Sequence, residues 1–170
     1  TIQELCQTRL PKNMGIGPQD IQVLSPTRKG EMGTVNLNKK LQEVLNPRSP
    51  EKKEKLFGDA VFREGDRVMQ IRNNYDILWK SENGTETGTG MFNGDVGTIK
   101  SIDMDEETLT VCFDGKTASY GFDALIELEH AWAVTVHKAQ GSEYRAVILS
   151  LCGGPQMLLT RSVLYTAITR

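Results

Sequence analysis

A chain of 170 residues, 38% hydrophobic and 25% charged, is long enough for one globular domain or for a domain carrying a small insertion. It holds no apolar run near the roughly 18 residues of a membrane span, and the opening TIQELCQTRLPKN lacks the charged-then-apolar order of an export signal. The net charge of −2 is unevenly spread: residues 1–62 carry ten Lys/Arg against seven Asp/Glu, residues 63–128 six against thirteen, and residues 129–170 four against two. A phosphate-neutralising surface belongs on the outer segments if anywhere, although a merely solvated surface accounts for so small an excess equally well. Cys6, Cys112 and Cys152 are odd in number and far apart, which is neither a disulfide framework nor a zinc pattern and fits a reducing cytoplasm.

In chain order, a short helix is predicted over Ile2 to Arg9, stopped by Pro11, followed by a turn through Gly15 and Gly17. Ile21, Val23 and Leu24 mark a short buried strand ending at Ser25-Pro26. Val35, Leu37, Leu41, Val44 and Leu45 fall at near-helical spacing across Thr34 to Leu45. The polar stretch Asn46 to Lys55 reads as a linker or exposed loop. From Phe62 to Leu128 short alternating runs (67–71, 96–99, 109–113, 118–120) are separated by turns such as Asn83-Gly84, Asn93-Gly94 and Asp114-Gly115. That is the pattern of a small antiparallel barrel, in which glycine-rich Ser81 to Gly90 is expected to be a mobile loop. After Glu129 the apolar runs 131–136 and 146–151 read as buried strands, with a short helical turn ending at Gly141 between them. A last helix is predicted over Met157 to Arg170, with Leu158, Leu159, Val163, Leu164 and Ile168 inside; it is still running at Arg170, which reads as a cut within a longer chain. The sum is an α/β domain interrupted by a β insertion.

No catalytic centre is complete. There is no GxxxxGK[ST] loop, the nearest Gly-Lys being Gly115-Lys116 in a β-turn, and no carboxylate pair, Ser-His-Asp set or metal cluster. If the chain serves an enzyme, essential parts lie outside it. Two stretches do concentrate chemistry. In Ala133-Val134-Thr135-Val136-His137-Lys138-Ala139-Gln140-Gly141-Ser142-Glu143-Tyr144 a buried strand delivers polar side chains to the carboxyl end of a sheet, where open α/β sheets bind ligands. In Leu164-Tyr165-Thr166-Ala167-Ile168-Thr169-Arg170 a helix presents Thr166, Thr169 and Arg170 beside apolar anchors.

Together TVHKAQGSE and LLTRSVLYTAITR resemble motifs V and VI of superfamily 1 helicases, in the RecD-like branch (the exodeoxyribonuclease V alpha subunit type). VLSPTRKGEMGTVNLNKKLQ looks like that branch's strand-loop-helix, and FREGDRVMQIRNNYD with MFNGDVGTI looks like the opening of its SH3-like insertion, so the likeness spans residues 21–170. It implies most of a second RecA-like (P-loop NTPase-type) motor domain in residues 1–62 and 129–170, interrupted by an SH3-like barrel in residues 63–128. The first motor domain, with the Walker motifs and the ligands of Mg2+, would precede this chain. By motif position Arg170 is the arginine finger, a fixed guanidinium that stabilises charge on the transferring phosphoryl group. Gly141, Ser142 and Glu143 would face ATP, with Gln140 between the ATP and DNA sites. Thr135, His137 and Lys138 would touch single-stranded DNA, and Arg28 and Lys29 would hold its phosphates. The branch implies 5′-to-3′ unwinding of duplex junctions in DNA recombination and repair, in a bacterial-type cytoplasm.

Plainer readings stand beside these. Thr135 serves equally as a β-branched strand residue, and Arg28-Lys29 as an exposed turn. Trp132 reads as core; Trp79 either packs or stacks on a base. A related conjugative relaxase-helicase shares these motifs. A binding module without catalysis is the rival from another class, the acidic barrel favouring a protein partner or a steering wall over phosphate tracking. No ATP turnover is expected from the 170 residues alone.

Overall fold

A computed structural model describes residues 1–151 and 160–170. The chain folds as two compact units, one from Thr1–Pro47 with Trp132–Arg170, the other from Arg48–Ala131.

The first unit opens with α1 (Ile2–Glu4), a π-helical turn (Leu5–Arg9) and α2 (Leu10–Met14). Thr1 caps this segment, its hydroxyl accepting from Glu4 N at 3.3 Å. The helix does not stop before Pro11. The proline is the second residue of α2, just behind the π turn, whose wider register has Leu10 N donating to Leu5 O. Gly15, left-handed at φ +63°, ends the segment.

β1 (Ile21–Ser25) is buried throughout and lies at the centre of a parallel sheet. Its neighbours are β11 (Ala133–Thr135) and β12 (Ala146–Leu149), in register Val23↔Ala133 and Ile21↔Ala146. α3 (Thr34–Leu45) packs Leu37 and Leu41 into a cluster with Cys6, Ile16, Ile21, Val23 and Ala133. Val35 falls on the outer side of α3 and is 50% exposed. Trp132 packs against this cluster, as the sequence indicates. Asn38, on the buried face of α3, brackets the β11 backbone: its amide donates to Ala133 O and its carbonyl accepts from Ala133 N, both at 2.8 Å.

Two expectations for the carboxy-terminal part are corrected. β12 is only half-buried along its length, because in the described residues it is an edge strand. In α4 (Arg161–Ile168) the buried residue is Ala167, while Leu164 and Ile168 are 42% and 73% exposed and Val163 is half-buried. Leu158, Leu159 and Cys152 lie outside the described residues.

The second unit begins with the hairpin β2 (Glu54–Phe57) and β3 (Ala60–Arg63). The seven-stranded antiparallel sheet comprises β4 (Arg67–Gln70), β5 (Asn74–Ser81), β6 (Thr87–Met91), β7 (Val96–Asp103), β8 (Thr108–Phe113), β9 (Lys116–Gly121) and β10 (Leu128–His130). Its order is β10-β4-β7-β8-β9-β5-β6. A 3-10 turn (Phe122–Glu127) leads into β10. Phe62, Val68, Ile99, Ile102, Leu109, Val111 and Tyr120 are among its buried core.

Residues 48–62 pack with this unit, contrary to a boundary at 63. Phe62 is 1% exposed in its core, and Arg63 donates to Glu54 at 2.6 Å, fastening β3 to β2. Asn46 to Lys55 is therefore not all loop. Ser81 to Gly90 is not a mobile loop either: it holds the end of β5, a turn closed by Ser81 and Asn83, and most of β6. The glycines that suggested mobility make room for an aromatic side chain. A Cβ at Gly88 would lie 2.4 Å from Cζ2 of Trp79, which packs there with Lys116 over its ring at 4.6 Å. Among the described residues no helix is long and apolar enough to cross a membrane.

Candidate functional site

The sheet of the first unit sends two loops from its carboxyl edge. The loop after β1 is folded on its own polar groups. The Ser25 hydroxyl lies 2.7 Å from Met32 O and 3.1 Å from Thr27 O. Thr27 O and Arg28 O accept from Thr34 N and Val35 N at 3.0 and 3.2 Å, supplying partners for the first donors of α3. That closure leaves the side chains of Arg28 and Lys29 exposed at the tip.

The loop after β11 starts against the same strand, with Val136 N donating to Ser25 O at 3.1 Å. It winds through a helical turn in which Ala139 N donates to Thr135 O at 3.1 Å and Ser142 N to Ala139 O at 3.2 Å. Buried Val136 and Ala139 anchor it, so His137, Gln140, Gly141 and Glu143 stand exposed, with Thr135, Lys138 and Ser142 half-buried. Thr135 Oγ1 accepts from Lys138 N at 3.4 Å. The turn reverses at Gly141, whose φ of +85° suits glycine, with open space where a Cβ would be.

Arg170 meets this loop through backbone, its carbonyl accepting from Tyr144 N at 2.9 Å. Its guanidinium folds back on the end of α4, Nε donating to Thr166 O at 3.2 Å and Nη2 to Thr169 Oγ1 at 3.4 Å. A cation at a helix carboxyl terminus satisfies carbonyls left without partners and complements the dipole. The loop leaves toward β12 past Arg145, 3.8 Å from Asp20.

The structure thus joins the 140–144 loop to Arg170 and brings Arg28-Lys29 off the neighbouring strand at the same edge. Ser25, Gln22 and Asn38, which hold the two loops' roots, were not singled out from sequence. Gln22 Nε2 donates to Trp132 O at 3.3 Å, tying the entry of β11 to β1. Their signal was polar residues at positions whose neighbours demand burial: Gln22 between Ile21 and Val23, Asn38 between Leu37 and Leu41. Among the described residues no group of three or more His, Cys, Asp or Glu side chains is placed to hold a metal ion.

Residues 37–113 match the family described as the ATP-dependent RecD-like DNA helicase SH3 domain, and residues 130–170 match the UvrD-like helicase C-terminal domain. The ATP-dependent RecD2 DNA helicase of Deinococcus radiodurans is 34% identical over 154 residues, covering 91% of this chain. The RecBCD enzyme subunit RecD of Buchnera aphidicola subsp. Schizaphis graminum is 29% identical over 152 residues, covering 88%. The chain spans 19% and 23% of the length of these two relatives. In fold it is similar to Bacteroides Pif1 bound to ssDNA (TM-score 0.52, 15% identity, 88% of this chain and 38% of that one). It is similar also to the Pif1 helicase from Candida albicans (TM-score 0.54, 15% identity, 97% and 45%). The two matched segments make the chain a helicase region, an SH3 domain together with a UvrD-like C-terminal domain. Within that class it is a RecD-like DNA helicase segment, homologous to RecD2 and RecD proteins over most of its length.

Proposed function

We propose that the chain supplies half of an ATP site and part of a single-strand DNA track to a RecD-like DNA motor. On this reading the first unit is part of a second RecA-like domain and the second unit is the SH3-like insert within it. ATP binds between this unit and a first motor domain that carries the Walker motifs and the Mg2+ ligands. Arg170 reaches the γ-phosphate as arginine finger, and Gln140, Gly141, Ser142 and Glu143 face the nucleotide. Thr135, His137, Lys138, Arg28 and Lys29 grip the DNA strand. The motor runs 5′-to-3′ at duplex junctions, in cytoplasmic recombination and repair.

The observation that carries this reading is the 2.9 Å bond from Tyr144 N to Arg170 O. It couples the finger's backbone to the loop that bears Gly141 and Glu143, so a shift of either moves the other. Opening and closing of an ATP cleft would then be felt at His137 and Thr135 on the same loop. The guanidinium itself needs only to exchange Thr166 O and Thr169 Oγ1 for phosphate oxygens, stronger charge-assisted partners.

The test is single-strand-DNA-stimulated ATPase in a chain of the relatives' full length, beside the 170 residues alone. Turnover in the long chain and none in the short one is expected. Turnover by the 170 residues alone, or DNA-independent turnover in the long chain, would overturn it.

A further inference from the structure

The second unit presents two aromatic rings to water. Tyr75, near the start of β5, is 66% exposed, and Phe92, just after β6, is 45% exposed. They meet edge to face with centroids 5.7 Å apart, and neither belongs to the unit's core cluster. The backbone that carries them is firmly held. Asn74 donates its amide to both oxygens of Glu127 at 3.1 and 3.0 Å; Gln70 donates to the same carboxylate at 2.9 Å and accepts from the buried Tyr120 hydroxyl at 2.9 Å. Phe92 N donates to Asp95 at 2.9 Å, and Asn93 N to Asn73 Oδ1 at 2.9 Å. Ile71 N donates to Glu127 O at 2.8 Å, which fastens the 3-10 turn bearing Ile126, itself 53% exposed, to the root of β5.

A rigid, exposed aromatic pair makes a good anchor site, since little conformational entropy is lost when a side chain settles on it. Its surroundings select the visitor. Asp76 follows Tyr75 in β5 and is exposed, Asp95 accepts from Phe92 N, and Glu127 accepts from Asn74; the cations of residues 70–81 are Arg72 and Lys80, both exposed. Residues 48–131 carry ten Lys/Arg against seventeen Asp/Glu. The field reaches inward: the Tyr120 phenol is pushed far above its ordinary range, first by burial and then by Glu127 and Asp95. Such a surface repels phosphates and steers cationic segments.

We propose that the Tyr75–Phe92 pair docks a basic, extended segment of a partner protein, which lays one apolar side chain against the rings and flanks it with Lys or Arg facing Asp76 and Asp95. The proposal does not depend on the motor reading, and its failure leaves that reading intact.

Fluorescence anisotropy on the whole chain tests it, with a labelled peptide of Arg-Pro-Leu repeats, the same peptide with Glu for Arg, and a labelled oligodeoxythymidylate. Tyr75→Ala and Phe92→Ala should each weaken the basic peptide about tenfold or more, as expected for anchor residues. Asp76→Lys, which leaves both rings in place, should weaken it severalfold. Leu56→Ala, a change at a 65% exposed strand residue, should leave binding unchanged, and the acidic peptide should not bind. Thermal melts establish that each variant is folded. Absence of basic-peptide binding, or wild-type affinity in folded Tyr75→Ala and Asp76→Lys, overturns the proposal. Oligonucleotide binding that Tyr75→Ala abolishes overturns it in favour of a base-stacking platform.

Discussion

The two units of this chain solve different problems with similar numbers of residues. Residues 48–131 close a core of their own on an antiparallel sheet, with thirteen buried side chains in one cluster against seven in the other unit among the described residues, and the excess acid lies on that self-contained half. Residues 1–47 and 132–170 carry ten Lys/Arg against five Asp/Glu. Their parallel sheet places loops, and among the described residues Leu164 and Ile168 of α4 are exposed and β12 is half-buried along its length. A unit that completes its own core can vary its surface freely, whereas one that displays loops at a sheet edge depends on a few internal polar bolts for their placement. Variants that separate surface chemistry from bolts should therefore behave differently in the two.

The largest effect belongs to Arg170. In a chain of the relatives' full length, Arg170→Ala should lower DNA-stimulated turnover by about a thousandfold, the lower end of what an arginine finger contributes. Nucleotide and DNA affinities should change by only a few-fold if the group acts, as proposed, on charge that develops in the transition state. Arg170→Lys should recover little, since a point charge cannot reproduce the fork. Turnover within a few-fold of wild type would reduce Arg170 to a helix cap over Thr166 and Thr169.

Next come the bolts. Asn38→Ala strands both Ala133 N and Ala133 O in a buried setting, at about 1–3 kcal/mol for each orphaned group. Chemical denaturation should show a loss of roughly 2–4 kcal/mol for this unit, large for a polar residue on a helix. A loss near zero would mean that water replaces the amide, and that β11 is not held by α3. The matching change in the other unit is Tyr120→Phe, which removes a single bond to Gln70 and should cost about 1 kcal/mol.

Tyr120 also sharpens the comparison through pH. Its phenol titrates higher in the folded state than in the unfolded one, because of burial and then of Glu127 and Asp95. Above the unfolded tyrosine pKa of about 10 the unfolded chain releases this proton while the folded one keeps it, so stability falls as pH rises. The slope should approach about 1.4 kcal/mol per pH unit, and Tyr120→Phe should flatten it. Equal slopes in wild type and variant would show that the hydroxyl reaches solvent.

How far the sequence reveals these features depends on what kind of signal each residue gives. β1, α3 and the reversal at Gly141 are legible because burial periodicity and turn chemistry are local. The β5–β6 hairpin is not, since Gly88 and Gly90 read as flexibility until Trp79 and Phe92 are seen to fill the space beside them. The helix through Pro11 is hidden because a π turn is set by packing and register, which composition does not report. At the candidate site the exposed residues came from motif likeness. The residues that hold the loops, Ser25, Gln22 and Asn38, look like ordinary polar residues until their partners more than ninety positions away, or across a loop, are known.

The smallest expected effect tests which half meets phosphate. Arg28 and Lys29 stand exposed on a loop closed by backbone bonds from Thr34 and Val35, and a thermal melt that matches wild type confines the effect of replacing them to their charge. If each neutralises one phosphate of single-stranded DNA, the double change Arg28→Ala with Lys29→Ala removes two counterion-release events. The slope of log affinity against log salt should then become shallower by about 1.4, at roughly 0.7 per phosphate. The loss should be nearly uniform across sequences, because phosphate contacts position the strand without reading it. An unchanged slope would make Arg28 and Lys29 a solvated turn and leave the basic excess of this unit spread over surfaces that never touch DNA. A matching fall on neutralising Lys80 and Lys116 in the acidic unit would reverse the comparison, and put the strand across the SH3 domain instead.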